Sequence, residues 1–202
     1  AWSTKDAKGI NFQAVSSAGA TIGSRTSLAK TSGQYNHLSL CPGMEGSYAF
    51  GMAYTEYVMN VRTVVYFTQV ASDGTLLHKA LNVRGVPRTS RFTGDWPRVA
   101  WNEDRGVFHV SWQDNRVAPE PDPGITSYYN FFMRTIKPTG KFASAETMLN
   151  IKFKDQAYNT LESGAAFGGG RLCIGFSKSL GQSVTDPNLR HYRAHSVCVK
   201  PR

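Results

Sequence analysis

The chain has 202 residues, 41% hydrophobic and 18% charged, enough for one sizeable core or a short repeat array. No apolar run approaches the length of a membrane-spanning helix and no signal-peptide pattern opens the chain, so Ala1 reads as the processed end of a mature exported protein, secreted or on the cell surface. The net charge of +9 is scattered, without a block of like charge or an RNA-binding signature, which argues against nucleic acid and leaves simple solubility or an anionic partner.

Repetition organises the chain from its start. The stretch FQAVSSAG, ending at Gly19, predicts a hairpin over 10–28 whose second arm reaches Leu28. The same stretch recurs as FTQVASDG ending at Gly74 and as MRTIKPTG ending at Gly140. The terminal SVCVKPR superposes on RTIKPTG. Nine residues after each glycine stands an apolar residue: Leu28, Val83 and Leu149.

Between these hairpins, a glycine leads each time into an alternating strand. One face carries Tyr48, Phe50 and Met52, then Phe108, Val110 and Trp112, then Leu172, Ile174 and Phe176. The opposite face is small or polar: Ala49, Gly51 and Ala53; His109, Ser111 and Gln113; Cys173, Gly175 and Ser177. A period of two means strand rather than helix. Bulky residues on one face and small ones on the other suit sheets stacked face to face.

Each repeat is therefore expected to hold four antiparallel strands. First strands are predicted at 38–41, 97–101 and 160–163, followed by the alternating second strands. Third strands are predicted at 64–70, 128–136 and 191–199, and fourth strands at 75–83 and 141–149. Residues 1–202 thus read as one all-β, β-propeller-like array, with repeats at about 30–85, 86–150 and 151–202 and the N-terminal hairpin. Closed propellers use at least about four blades. Either the hairpin completes a reduced fourth blade, or two copies close one ring, or the chain is processed from a longer propeller. The end at Arg202, midway through a repeat, favours the last of these.

The second repeat resembles a family of secreted bacterial β-propeller-like repeat proteins with a P-x-V-A strand followed by a V-x-W-x-D-x-R strand. Pro97, Val99, Ala100, Val110, Trp112, Asp114 and Arg116 match that pattern. The first and third copies keep neither the Trp nor the D-x-R, and carry Ala53 and Ser177 at the Gln113 position. The resemblance implies a propeller-like fold on an exported protein and no definite reaction, since fold does not fix function.

The longest connections, 84–96, 115–127, 151–159 and 178–190, belong to one end of the strands. Irregular loops on a rigid scaffold are where binding residues gather. Arg84, Arg88, Arg91, Arg116, Lys152, Lys154 and Lys178 make that end basic. This predicts a non-catalytic module that binds a protein partner or anionic glycan, as a subunit or fragment of a larger assembly: a second chain of the same precursor or a homo-oligomer. Asp114 and Arg116, two apart on one side of a strand, either anchor a loop or touch a ligand. Trp96 and Tyr128 are the stacking candidates for a lectin. Asp95 and Glu162, near the starts of first strands, are the carboxylates a propeller hydrolase would use.

No G-x-S-x-G, H-E-x-x-H or P-loop occurs, and no cofactor is expected. His191 and His195 lie about 13 Å apart along a strand, too far to share a metal, so no metal site is expected. Of Cys41, Cys173 and Cys198, the last two fall on adjacent strands of one repeat. A cross-strand Cys173–Cys198 disulfide is the expected pairing, leaving Cys41 buried and free or bonded to a partner chain.

Overall fold

The computed structural model describes residues 2–4, 9–27, 37–43, 49–58, 62–87, 93–116, 130–149, 160–182 and 190–200. They form strands and turns in four antiparallel sheets taken in chain order. Sheet I holds β1 (Trp2–Thr4), β2 (Gly9–Val15) and β3 (Thr21–Ser27). Sheet II holds β4 (Leu38–Pro42), β5 (Ala49–Val58), β6 (Arg62–Ala71) and β7 (Leu81–Asn82). Sheet III holds β8 (Gly94–Asn102), β9 (Val107–Asp114), β10 (Asn130–Ile136) and β11 (Thr147–Met148). Sheet IV holds β12 (Thr160–Gly168), β13 (Arg171–Gln182) and β14 (Arg190–Val199). Among the described residues no helix is long and apolar enough to cross a membrane.

The repeated turn is real in three dimensions. The amide of Gly19 donates to Ser16 O at 2.9 Å, that of Gly74 to Ala71 O at 3.0 Å and that of Gly140 to Lys137 O at 2.9 Å. The three glycines sit at φ 81°, 90° and 73°, a left-handed conformation that a Cβ resists. The turn identifies β2, β6 and β10 as equivalent third strands. Sheet I therefore holds second, third and fourth strands, whereas sheet IV holds first, second and third. The N-terminal element is thus larger than a hairpin, because β1 pairs with β2 through Trp2↔Asn11 and Ser3↔Ile10.

The alternation decides how the sheets stack. Met52 and Tyr54 face sheet I and pack with Ile10 and Phe12. Phe108, Val110 and Trp112 face sheet II and pack with Ala53, Val65 and Phe67. Leu172 and Ile174 face sheet III and meet Ala100, Phe131 and Met133. Each sheet thus turns its bulky face toward the sheet before it. A Cβ added at Gly51 would lie 2.5 Å from Phe108 Cε1, so glycine is what lets that ring in. Phe108 is fully buried, worth about 2–3 kcal/mol.

β8 lies against both β4 and β12, so the first strands of successive sheets gather along one inner edge. The fourth strands lie outermost, and the two expected at 75–83 and 141–149 are shorter than predicted. In these two, Leu81–Asn82 and Thr147–Met148 form ladders, with single bridges Val70↔Leu76 and Ile136↔Phe142 beside the turns. An outermost strand has one neighbour to pair with and little apolar surface to bury, and Leu76 and Phe142 remain 39% and 41% exposed.

Candidate functional site

The starts of the inner strands hold the one described cluster that combines backbone strain with reactive side chains. Between Asp95 and Arg98, β8 carries one residue more than its partner β9, which runs from Gln113 to Ser111. The bulge falls on Trp96 and Pro97, and Pro97 has no N–H to give to the ladder. Trp96 adopts φ 51°, unusual for a bulky residue. The Trp96 amide donates to Asp95 Oδ1 at 2.8 Å, which offsets part of that strain. The same oxygen accepts His37 Nδ1–H at 2.6 Å, and the His37 ring stacks on Trp96 with centroids 3.7 Å apart. The acceptor carboxylate assigns the proton to Nδ1, so in the neutral imidazole Nε2 is an acceptor.

The frame around the cluster is rigid. The His37 amide donates to Thr55 Oγ1 and its carbonyl accepts the Thr55 amide, each at 3.0 Å. The Thr63 hydroxyl donates to Gly94 O at 2.6 Å. The side chain of Arg84 crosses Gly94 so closely that a Cβ there would lie 2.7 Å from Arg84 Cδ. The His37 and Asp95 side chains keep 24% and 18% exposure, enough to meet a ligand from solvent. The arrangement brings an indole, an imidazole and a carboxylate together, residue types suited to packing on a sugar ring and bonding its hydroxyls.

A second cluster joins sheets II and III. Arg84 Nε donates to Asp114 Oδ2 at 2.8 Å, and Arg84 Nη1 to Thr63 O at 3.0 Å. Arg116 Nη2 reaches the same Asp114 oxygen at 2.8 Å, and its guanidinium forms two bonds to Glu146 at 2.7 and 3.1 Å. Glu146 also accepts the Gly85 amide at 2.6 Å. Trp112 Nε1–H approaches Asp114 Oδ2 at 3.4 Å. Burial pulls the Arg84 guanidinium below its usual range, and Asp114 beside it opposes that shift.

This corrects the expected basic face at Arg84 and Arg116, whose side chains are 1% and 10% exposed and paired with carboxylates. Of the two roles expected for Asp114 and Arg116, the structure displays the anchoring contacts, with the Asp114 side chain fully buried. The D-x-R pair closes the seam between two sheets, with Arg84 from one side and Glu146 from the other. Arg88, Arg91, Tyr128, Lys152 and Lys154 lie outside the described residues, as do the side chains of Glu162 and Lys178. The backbone of Glu162 falls in a bulge of β12 between Leu161 and Ser163, near the start of that inner strand. Cys173 and Cys198 face each other across β13 and β14 and form a disulfide, with Cα atoms 4.1 Å apart. Cys41 is free and half-buried, and burial raises its thiol pKa. Sequence reasoning missed His37 and Glu146. Aligning the first strands of the repeats would have set His37 beside Asp95; Glu146 carries no such signal.

No family model matches the chain, and no curated protein does. The fold is similar to that of a solved structure, Hadza microbial sialidase Hz136, at 14% identity and a TM-score of 0.56. The likeness covers 82% of this chain and 35% of that one, so the chain spans about a third of the length of the structure it matches. At this identity the similarity is one of fold: consecutive antiparallel sheets stacked in series.

Proposed function

We propose that this chain is an exported, non-catalytic propeller-type module that binds an anionic glycan where its inner strands begin. The observation that carries this reading is Trp96, held at φ 51° and stacked on His37, with both anchored to one oxygen of Asp95. Strained aromatic positions persist where the surroundings over-determine them, and such positions concentrate at ligand sites. The net charge of +9, with Arg88, Arg91, Lys152 and Lys154 on connections leading into first strands, supports an anionic ligand. The series of stacked sheets supports the propeller, and the disulfide suits an oxidising compartment. The solved structure of similar fold is named a sialidase, which puts sialylated glycans among the ligands to test.

Calorimetric titration with sialylated, sulfated and neutral oligosaccharides tests the reading. Binding of an acidic glycan is expected to weaken tenfold or more in Trp96→Ala, with the melting temperature little changed. Retention on heparin that vanishes in moderate salt and ignores Trp96→Ala would reduce the interaction to charge and defeat the proposal. The His37–Asp95 pair also favours a second reading, glycoside hydrolysis. Turnover that is lost in Asp95→Asn or Glu162→Gln would establish that reading and overturn the non-catalytic one.

A further inference from the structure

The Trp96 cluster, with its imidazole neutral, has nothing to give an anion. His37 donates its Nδ1 proton to Asp95 Oδ1 at 2.6 Å, and that oxygen also accepts the Trp96 amide at 2.8 Å. His37 Nε2 bonds no described residue and is not among their buried unpartnered polar atoms, so it keeps contact with solvent. The same holds for Asp95 Oδ2. Both free atoms are then acceptors, and the pair carries the negative charge of the carboxylate. Such a pair can bond the hydroxyls of a sugar, but it repels a carboxylate or a sulfate.

One proton reverses this. Added at Nε2, it turns that atom into a donor, neutralises the pair and makes the bond from Nδ1 to Asp95 a charge-assisted one. The frame already holds the ring in place, since the His37 amide and carbonyl are both bonded to Thr55 and the ring stacks on Trp96. From β5 the group set against His37 is Thr55, which is uncharged; from β8 it is Asp95 and Trp96. Asp95 is thus the charged group facing the imidazole among the described residues. We propose that His37 is a proton-coupled seat for the acidic group of the glycan: one proton is taken up at Nε2 when a carboxylate or sulfate binds beside Trp96, and is released when the ligand leaves. This coupling rests on the glycan reading and adds regulation by pH to it. The protonated ring binds the anion better, so affinity rises as pH falls through the ordinary imidazole range of about 5–8, and the bound anion in turn holds the proton more tightly.

The test is calorimetric titration of the intact protein with sialyllactose and with sulfated lactose, with lactose as the neutral control. The acidic sugars are expected to bind about tenfold tighter at about pH 5.5 than at about pH 8, with little change for lactose. At about pH 8 the heat should differ between phosphate and Tris buffers, as uptake of about one proton requires. His37→Gln can still donate to Asp95 but cannot gain a charge, so at both pH values it should bind as the wild type does at about pH 8. Circular dichroism and the melting temperature check that this variant stays folded. Trp96-dependent binding of an acidic sugar with equal affinity at both pH values overturns the coupling and leaves the glycan reading standing. So does a pH effect that persists in His37→Gln, or one that lactose shares. Absence of Trp96-dependent binding at either pH defeats the glycan reading itself, and the coupling with it.

Discussion

Removing Asp114 should open the seam between sheets II and III. Its Oδ2 accepts Arg84 Nε and Arg116 Nη2, both at 2.8 Å, and its Oδ1 accepts the Arg116 amide at 3.0 Å. Asp114→Ala removes the carboxylate on which the buried Arg84 guanidinium rests, while its bond to Thr63 O remains. Breaking one partner out of a buried pair costs about 3–5 kcal/mol, much more than the pair contributes relative to an apolar filling. With a urea m-value of about 2 kcal/mol/M for a domain of this size, the unfolding midpoint should fall by about 1.5–2.5 M. Arg84→Met replaces the stranded charge by an apolar side chain of similar length. The double variant Arg84→Met/Asp114→Ala should therefore be less destabilised than the sum of the singles, with a coupling of about 1–3 kcal/mol. Equilibrium urea unfolding of all four proteins supplies the cycle. A cost below about 1 kcal/mol for Asp114→Ala, or additive singles, would refute the argument that this seam is held by buried charge.

Three further outcomes follow from the packing. His109 is 1% exposed, and burial depresses its pKa from 6.5 to about 4. Above about pH 6.5 the imidazole is neutral folded or unfolded; between 6.5 and 4 only the unfolded chain takes the proton, so stability falls as pH falls, by at most about 3 kcal/mol, and levels off below 4. His109→Gln should flatten this slope in urea melts at stepped pH, and a slope left unchanged would exclude His109 as its source. Gly51→Ala drives a methyl into Phe108 and should cost about 1–3 kcal/mol, partly recovered by Phe108→Leu; thermal melts that show no loss would mean the sheets separate freely there. Reducing the Cys173–Cys198 bridge, with its sequence separation of 25, should cost about 3 kcal/mol and lower the melting temperature, an effect absent from Cys173→Ser/Cys198→Ser.

Much of the fold was legible because strand alternation is a local property. The face carrying Phe108, Val110 and Trp112 can be read from residue order alone, and Gly51 opposite it already announces a close approach. The repeated turn glycines were equally plain, since a left-handed turn leaves a residue-type mark. The fourth strands at 75–83 and 141–149 were over-read: they were drawn from the turn glycine to the apolar residue nine positions on, yet on an outermost arm Leu76 and Phe142 remain partly exposed and form only isolated bridges. Basic residues misled for another reason. A count of Arg and Lys on connections cannot tell a solvent-facing guanidinium from one folded back onto a carboxylate 30 positions away, as Arg84 is onto Asp114.

By itself, then, the sequence determined the all-β class, the repeat and the bulky and small faces, all of which rest on period-two order and short-range spacing; it made the Cys173–Cys198 pairing an expectation that the structure bears out. Only the tertiary structure decided that Arg84, Asp114, Arg116 and Glu146 close a seam and that His37 meets Asp95 across 58 residues. Those relations depend on which sheet stacks on which and in what register. That is set by the burial of whole faces, and no local pattern in the chain records it.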